Sequence, residues 1–132
     1  MPTVLLLASL DTRGKEAVYL RTLLEGLGCK VILTDISMRK HDQTGADYTC
    51  ADVASEGGAS FEQISSHKGT SEIITPMIKG CVKIARKLFE TGSIDAIAGF
   101  GGASNTLFVS SVMGSLPFGL PKLILSSSAA IP

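Results

Sequence analysis

Four short, almost unbroken apolar runs separated by helical periodicity constrain this chain more than any other feature. Residues 3–10 read TVLLLASL, 30–36 KVILTDI, 95–100 DAIAGF and 121–127 PKLILSS. Runs this short and continuous mark strands buried on both faces, as in a parallel sheet covered by helices. After the first run, Asp11-Thr12-Arg13-Gly14 reads as a turn. From Lys15 the pattern becomes helical, with Ala17, Leu20, Leu23, Leu24 and Leu27 on one side and Gly28 as the stop. Strand, helix and strand within about 35 residues form a βαβ unit, whose crossover is right-handed.

A second helical stripe begins at Ser71 and carries Ile74, Met77, Ile78, Cys81, Val82, Ala85, Leu88 and Phe89, with Gly92 ending it. Pro76 either follows a Thr75 cap or kinks a helix begun earlier. An unusually apolar third helix is expected over Asn105–Leu116. This alternation predicts an α/β fold: a doubly wound, Rossmann/flavodoxin-like parallel sheet of about four strands in the order 2-1-3-4. Residues 37–70 interrupt the pattern. They are polar and Gly/Ser-rich, with two short helical pieces expected near Cys50–Glu56 and Ser60–Ser66 on either side of Gly57-Gly58. Such a stretch is a functional loop or lid, or simply a variable excursion.

A length of 132 residues fits one domain, and 45% hydrophobic residues with a mean hydropathy of +0.33 provide its core. Twelve basic residues balance twelve acidic ones, which argues against nucleic acid as a partner but not against a small phosphate ligand held by backbone N–H groups. No apolar run reaches the ~20 residues of a membrane helix. No basic n-region or cleavage site opens the chain, so no signal peptide is expected. Cys29, Cys50 and Cys81 are widely spaced without a CxxC, pointing to a reduced, cytoplasmic setting rather than disulfides. His41 and His67 lie near Asp42, Asp47 and Cys50, but the spacings match no metal-binding pattern and no metal site is expected.

In a doubly wound sheet, ligands bind outside the carboxyl ends of the strands, near the point where strand order reverses. Three loops are expected there. The first supplies Asp11, Thr12, Arg13 and Lys15: a basic pair for phosphates and an aspartate for a metal or hydroxyl, or else a helix cap with a solvated first turn. The second, Gly101-Gly102-Ala103-Ser104-Asn105-Thr106, combines close backbone approach with unpaired N–H groups and three side-chain donors. Its alternative is a plain turn in which Ser104 or Asn105 caps the helix. The third is Ser126-Ser127-Ser128-Ala129, offering hydroxyls. Asp35 ends the second strand, where an acid often meets a ribose hydroxyl. GxxxxGK[ST] is absent, so this is no Walker P-loop, and neither GxSxG nor a cysteine in a strand-end loop suggests a nucleophile.

The segments LLLASLDTRGKEAVYLRTLLEGLG, VILTDIS, CADVASEGGASFEQI and IAGFGGASNTLFVSSVMGSLPFGLPKLILSSSAA resemble the N-terminal, ATP-binding domain of the tomato-mosaic-virus resistance protein family. The likeness spans essentially the whole chain and is most specific at Asp11-Thr12, Gly101-Gly102 with Thr106, and LPFGLPKLILS. It implies ATP, with or without Mg²⁺, among Asp11-Thr12, the Gly101–Thr106 loop and Ser126–Ser128. It also implies a longer parent protein, of which this chain is a fragment or shortened version.

Three functions are compatible with these residues. The first is a nucleotide-binding domain, homo-oligomeric or joined to a partner domain that covers the open sheet edge. The second is an enzyme acting on a nucleotide or phosphorylated substrate together with an absent second domain, although no general base stands out. The third is a ligand-free interaction module using Leu107, Phe108, Val112, Met113 and Leu116 as a self-association face, unless these are simply buried on the sheet.

Overall fold

A computed structural model of the protein describes residues 1–66 and 70–128, with side chains left aside at Thr70 and Ser71. The chain runs β1 (Thr3–Ala8), α1 (Leu10–Gly26), β2 (Lys30–Asp35), α2 (Cys50–Glu56), α3 (Phe61–Ser66), α4 (Thr70–Glu90), β3 (Ala96–Gly101), α5 (Ala103–Gly114) and β4 (Lys122–Ser126). The four strands form one all-parallel sheet in the order β2-β1-β3-β4, the Rossmann-like arrangement expected from the sequence. Order reverses between β1 and β3, which are paired from Val4↔Ala96 to Leu7↔Gly99.

The apolar runs are continuous because successive residues feed two different cores. Leu5, Leu7 and Ile97 face α2, α3, α4 and α5, in a cluster with Val53, Ile64, Met77, Phe108 and Val112. Val4, Leu6, Ala8, Leu33, Ala98 and Phe100 face the other way, toward Leu10 and Ala17 of α1. Close approaches set the packing. A Cβ at Gly99 would lie 2.6 Å from Val109 Cγ1, so α5 can sit directly on β3. A Cβ at Gly80 would strike the Val53 carbonyl oxygen and lie 2.8 Å from Gly57 N, so α4 and α2 meet backbone to backbone. Pro76 lies inside α4, which begins earlier, at Thr70, so the proline does not follow a Thr75 cap.

Three expectations are corrected. Asp11–Gly14 is not a loop: α1 starts at Leu10, and the three candidate residues Asp11, Thr12 and Arg13 occupy its first turn, with a local break at Arg13 (φ −125°, ψ 26°). The free N–H groups of that turn are met from β2 and beyond, Leu10 N–H donating to Asp35 Oδ1 (3.2 Å) and Asp11 N–H to Ser37 Oγ (3.2 Å). A helix start stabilised by partners some 25 residues away leaves little local signature. Second, the fourth run is not a buried strand. β4 is the edge of the sheet, and Leu123 (54%), Ile124 (36%) and Leu125 (49%) remain substantially exposed on its two faces. Third, the proposed self-association face is interior. Phe108, Val112, Met113 and Leu116 are buried on the sheet and only Leu107 is exposed.

The irregular segment after β2 covers the opposite edge. Asp47 and Tyr48 N–H groups donate to Leu33 O, Asp35 N–H donates to Tyr48 O, and Leu33 N–H donates to Asp47 Oδ2. This satisfies backbone groups that an open edge would leave bare.

Candidate functional site

The carboxyl ends of β1, β3 and β4 meet as the sheet topology requires, and side-chain hydrogen bonds lace them together. Ser9 Oγ, at the end of β1, donates to Asn105 Oδ1 in the first turn of α5 (3.2 Å). Thr106 Oγ1 donates back to Gly102 O (2.7 Å), so its contact with Ser126 Oγ (2.6 Å) takes the serine proton. Ser126 Oγ in turn accepts from Ser128 N–H (3.2 Å), and Ser127 N–H donates to Gly101 O (3.1 Å). The candidate residues of the second and third loops are therefore one connected structure.

The start of α5 differs from the plain capped turn that was one of the two alternatives. Neither Ser104 nor Asn105 caps it. The N-cap is Gly102, which contributes no side-chain bond, and Ala103, Ser104, Asn105 and Thr106 form the first turn. Gly101 adopts φ +149°, a region that favours glycine, and a Cβ there would lie 2.7 Å from Asn105 Nδ2. Tight turning thus places a helix N-terminus without a side-chain cap at the topological switch point. Its counterpart in α1 is already occupied by Asp35 and Ser37. Beside the start of α5, on the α1 face of the sheet, opens a groove of about 500 Å³. Tyr19, Leu20, Leu23, Phe100 and Leu125 make it apolar, while Arg13, Glu16 and Ser127 line it as polar groups. Arg13 makes no ion pair among the described residues.

Asp35 does not join this cluster as a free carboxylate. It is 3% exposed and turned into a network of its own. Oδ1 accepts from Leu10 N–H (3.2 Å), Ser37 N–H (3.0 Å) and Ser37 Oγ (2.5 Å), and Oδ2 meets His41 Nε2 at 2.7 Å. His41 Nδ1 accepts from Gln43 N–H (3.0 Å), so a neutral His41 carries its proton on Nε2 and donates it to Asp35. Cys50, the first residue of α2, completes the group. One donor atom each from Asp35, His41 and Cys50 lies within 4.8 Å of the others. Burial, then the Asp35 charge and a hydrogen bond to it, push the Cys50 thiol up from 9.0 to about 12. The three line a second cavity of about 790 Å³ together with Lys40, Asp42, Gln43 and Phe61.

Spacing alone grouped His41 and Cys50 with Asp42 and Asp47, because these are near in sequence. Asp47 instead binds Leu33 N–H and Arg21, and the third member proves to be Asp35, delivered by the end of β2. His67 falls outside the described residues.

The molecule is thus a doubly wound α/β domain with a glycine-turned, hydroxyl-rich site at its switch point and a partly buried Asp-His-Cys group. Residues 2–131 match the N-terminal domain of the uncharacterised protein family UPF0261, and the chain belongs to that family. It is 28% identical over 127 residues to a UPF0261 protein of Clostridium tetani, covering 96% of this chain and 31% of that protein. A Rhizobium meliloti UPF0261 protein is 30% identical over 132 residues, covering 98% and 32%, and one of Brucella suis 25% identical over 128, covering 97% and 31%. The chain therefore spans about a third of the length of these curated relatives. These matches overturn the likeness to the tomato-mosaic-virus resistance protein family: family match and curated relatives alike carry the UPF0261 name. Among the described residues, no helix is long and apolar enough to cross a membrane.

Proposed function

We propose that this domain binds a nucleotide, ATP with Mg²⁺ being the first to test, with its phosphates at the start of α5 and its base in the groove between α1 and β4. The observation that carries this reading is the side-chain-uncapped N-terminus of α5, turned by Gly101 and Gly102 and opening at the switch point beside an apolar groove. Helix N-terminal N–H groups and the aligned dipole favour an anion there. Ser104, Ser127 and Ser128 supply hydroxyls, and Arg13 a charge-assisted donor. Tyr19, Leu23, Phe100 and Leu125 offer the apolar surface a purine ring needs. Asp11 and Thr12, in the first turn of α1, belong to the rim of the site. Asp35, with both oxygens engaged, positions that turn instead of meeting a ribose.

Calorimetric titration of the purified protein with ATP and Mg²⁺, against GTP and NAD, tests the proposal. Saturable binding that falls about tenfold in Arg13→Gln is expected, the loss of one charge-assisted bond being about 1.5 kcal/mol. No heat, together with no thermal stabilisation at high ligand concentration, overturns it.

A second reading rests on β4. Its exposed Leu123, Ile124 and Leu125 lie at an open sheet edge, with Tyr19 and Leu23 of α1 exposed alongside the groove. Such a surface suits coverage by another domain or a second copy of the chain. Light scattering that shows a monomer at all concentrations removes the second copy.

A further inference from the structure

We propose that Asp35, His41 and Cys50 form a binding site for a divalent transition-metal ion, with Zn²⁺ the ion its donor set fits best. The site is separate from the nucleotide site and stands whether or not that site binds ATP.

Three chemically different donors converge from three parts of the chain: a carboxylate at the end of β2, an imidazole from the following loop and a thiol at the start of α2. All three donor atoms lie within 4.8 Å of one another. The mixed oxygen, nitrogen and sulfur set suits Zn²⁺, whereas Ca²⁺ and Mg²⁺ select oxygen alone. Zinc bonds of about 2.0–2.3 Å at tetrahedral angles place such ligand atoms roughly 3.4–3.6 Å apart. Asp35 Oδ2 and His41 Nε2, now 2.7 Å apart, would open slightly to admit the ion, and the Cys50 thiol would close toward them. The Asp35 side chain is already aimed, since Oδ1 is held by Leu10 N–H, Ser37 N–H and Ser37 Oγ while Oδ2 is the oxygen turned to His41. Hydrogen bonds of that kind orient metal-ligating carboxylates. All three residues line a cavity of about 790 Å³, which leaves the fourth position for water or a small exogenous ligand.

The proton balance is definite. The ion takes the place of the proton that His41 Nε2 shares with Asp35, and that proton moves to Nδ1. The Gln43 N–H bond to Nδ1 is given up, freeing the 41–45 loop to adjust. Cys50 binds as thiolate and releases its proton to solvent. Charge on the bound group is then neutral, with carboxylate and thiolate against a divalent cation. Lys40, which also lines the cavity, is paired with Glu62 at 3.3 Å.

Titration of the purified protein with Co²⁺, the spectroscopic stand-in for Zn²⁺, tests the site. Expected are saturation at equimolar ion, a thiolate-to-cobalt charge-transfer band, the strong visible bands of a tetrahedral site, and proton release in weak buffer. Cys50→Ser should abolish the charge-transfer band, and His41→Ala should collapse affinity. Ser37→Ala, which keeps all three ligands but removes the hydroxyl bond that orients Asp35, should weaken binding by about 10–100-fold. Cys29→Ser should change nothing, and circular dichroism should verify that each variant is folded. Absence of saturable binding in the wild-type protein overturns the proposal. So does a charge-transfer band that survives Cys50→Ser, or an affinity indifferent to His41→Ala.

Discussion

Gly80 sits in the middle of α4, where helix propensity alone makes Gly→Ala stabilising by about 1 kcal/mol. The packing predicts the opposite sign. A Cβ on Gly80 would run into the Val53 carbonyl, lying 2.9 Å from its carbon and 2.8 Å from Gly57 N. These are backbone atoms and no rotamer change relieves them. Carbon–carbon contacts are comfortable at about 3.5–4.0 Å and the Val53 carbonyl oxygen would lie only 1.9 Å away, so α2 and α4 would have to part by at least about 1 Å. A gap of that size forfeits up to half of each dispersion contact across the seam, where Val53, Ala54, Met77 and Cys81 are buried. Overpacking of this kind costs about 1–3 kcal/mol and more when backbone must move. Taking about 3 kcal/mol against the propensity gain leaves Gly80→Ala destabilised by about 2 kcal/mol. For a chain of this size that lowers Tm by roughly 6–10 °C. Thermal unfolding followed by circular dichroism, with urea titration as a second measure, gives the answer. A Tm equal to or above the wild type refutes the close-packed α2–α4 seam. The same displacement would carry Cys50, at the start of α2, away from Asp35 and His41.

Asn105→Leu deletes the Ser9–Asn105 bond and is expected to abolish nucleotide binding with the fold retained; unchanged ATP affinity by calorimetry would remove the start of α5 from the site. Asp35→Ala leaves the buried Leu10 N–H and Ser37 donors and His41 without their acceptor. It should cost at least about 3 kcal/mol, read as a lower urea midpoint at unchanged slope. Burial pushes the Cys81 thiol up from 9.0 to about 12. Because the folded state holds that proton while the unfolded chain releases it, stability is full below pH 9 and falls as pH rises from about 9 toward 12. Cys81→Ala should flatten this alkaline slope in pH-dependent urea titrations. If the slope persists undiminished, another group causes it.

The order and type of the elements were legible in the residues themselves. Continuous runs such as Val4–Ala8 could be continuous only if both faces were covered, and that condition led directly to a parallel sheet in the order β2-β1-β3-β4. The expected and observed bounds of α2 coincide at Cys50–Glu56, where Thr49 and Asp52 form a capping box whose signals are local. Where boundaries slipped, the cause was distant. α1 begins five residues before Lys15 because Asp35 and Ser37 satisfy its first N–H groups, and β4 has the composition of a buried strand while lying at an edge.

The candidate sites divide in the same way. Short-range pattern determined that glycine and hydroxyl residues would follow β3 and β4, since strand, turn and helix signals act over a few neighbours. Side-chain partnership was decided by tertiary structure alone. Asn105 reaches Ser9 across 96 positions, and Thr106 reaches Ser126 across 20. Asp35 turns inward to His41 and lies near Cys50, although the residue types at 35, 41 and 50 follow no recognised spacing. Hydrophobic periodicity is written along the chain because each residue's burial depends on its own element. A convergence of polar atoms depends on where three elements end in space, which only the packed sheet and helices specify.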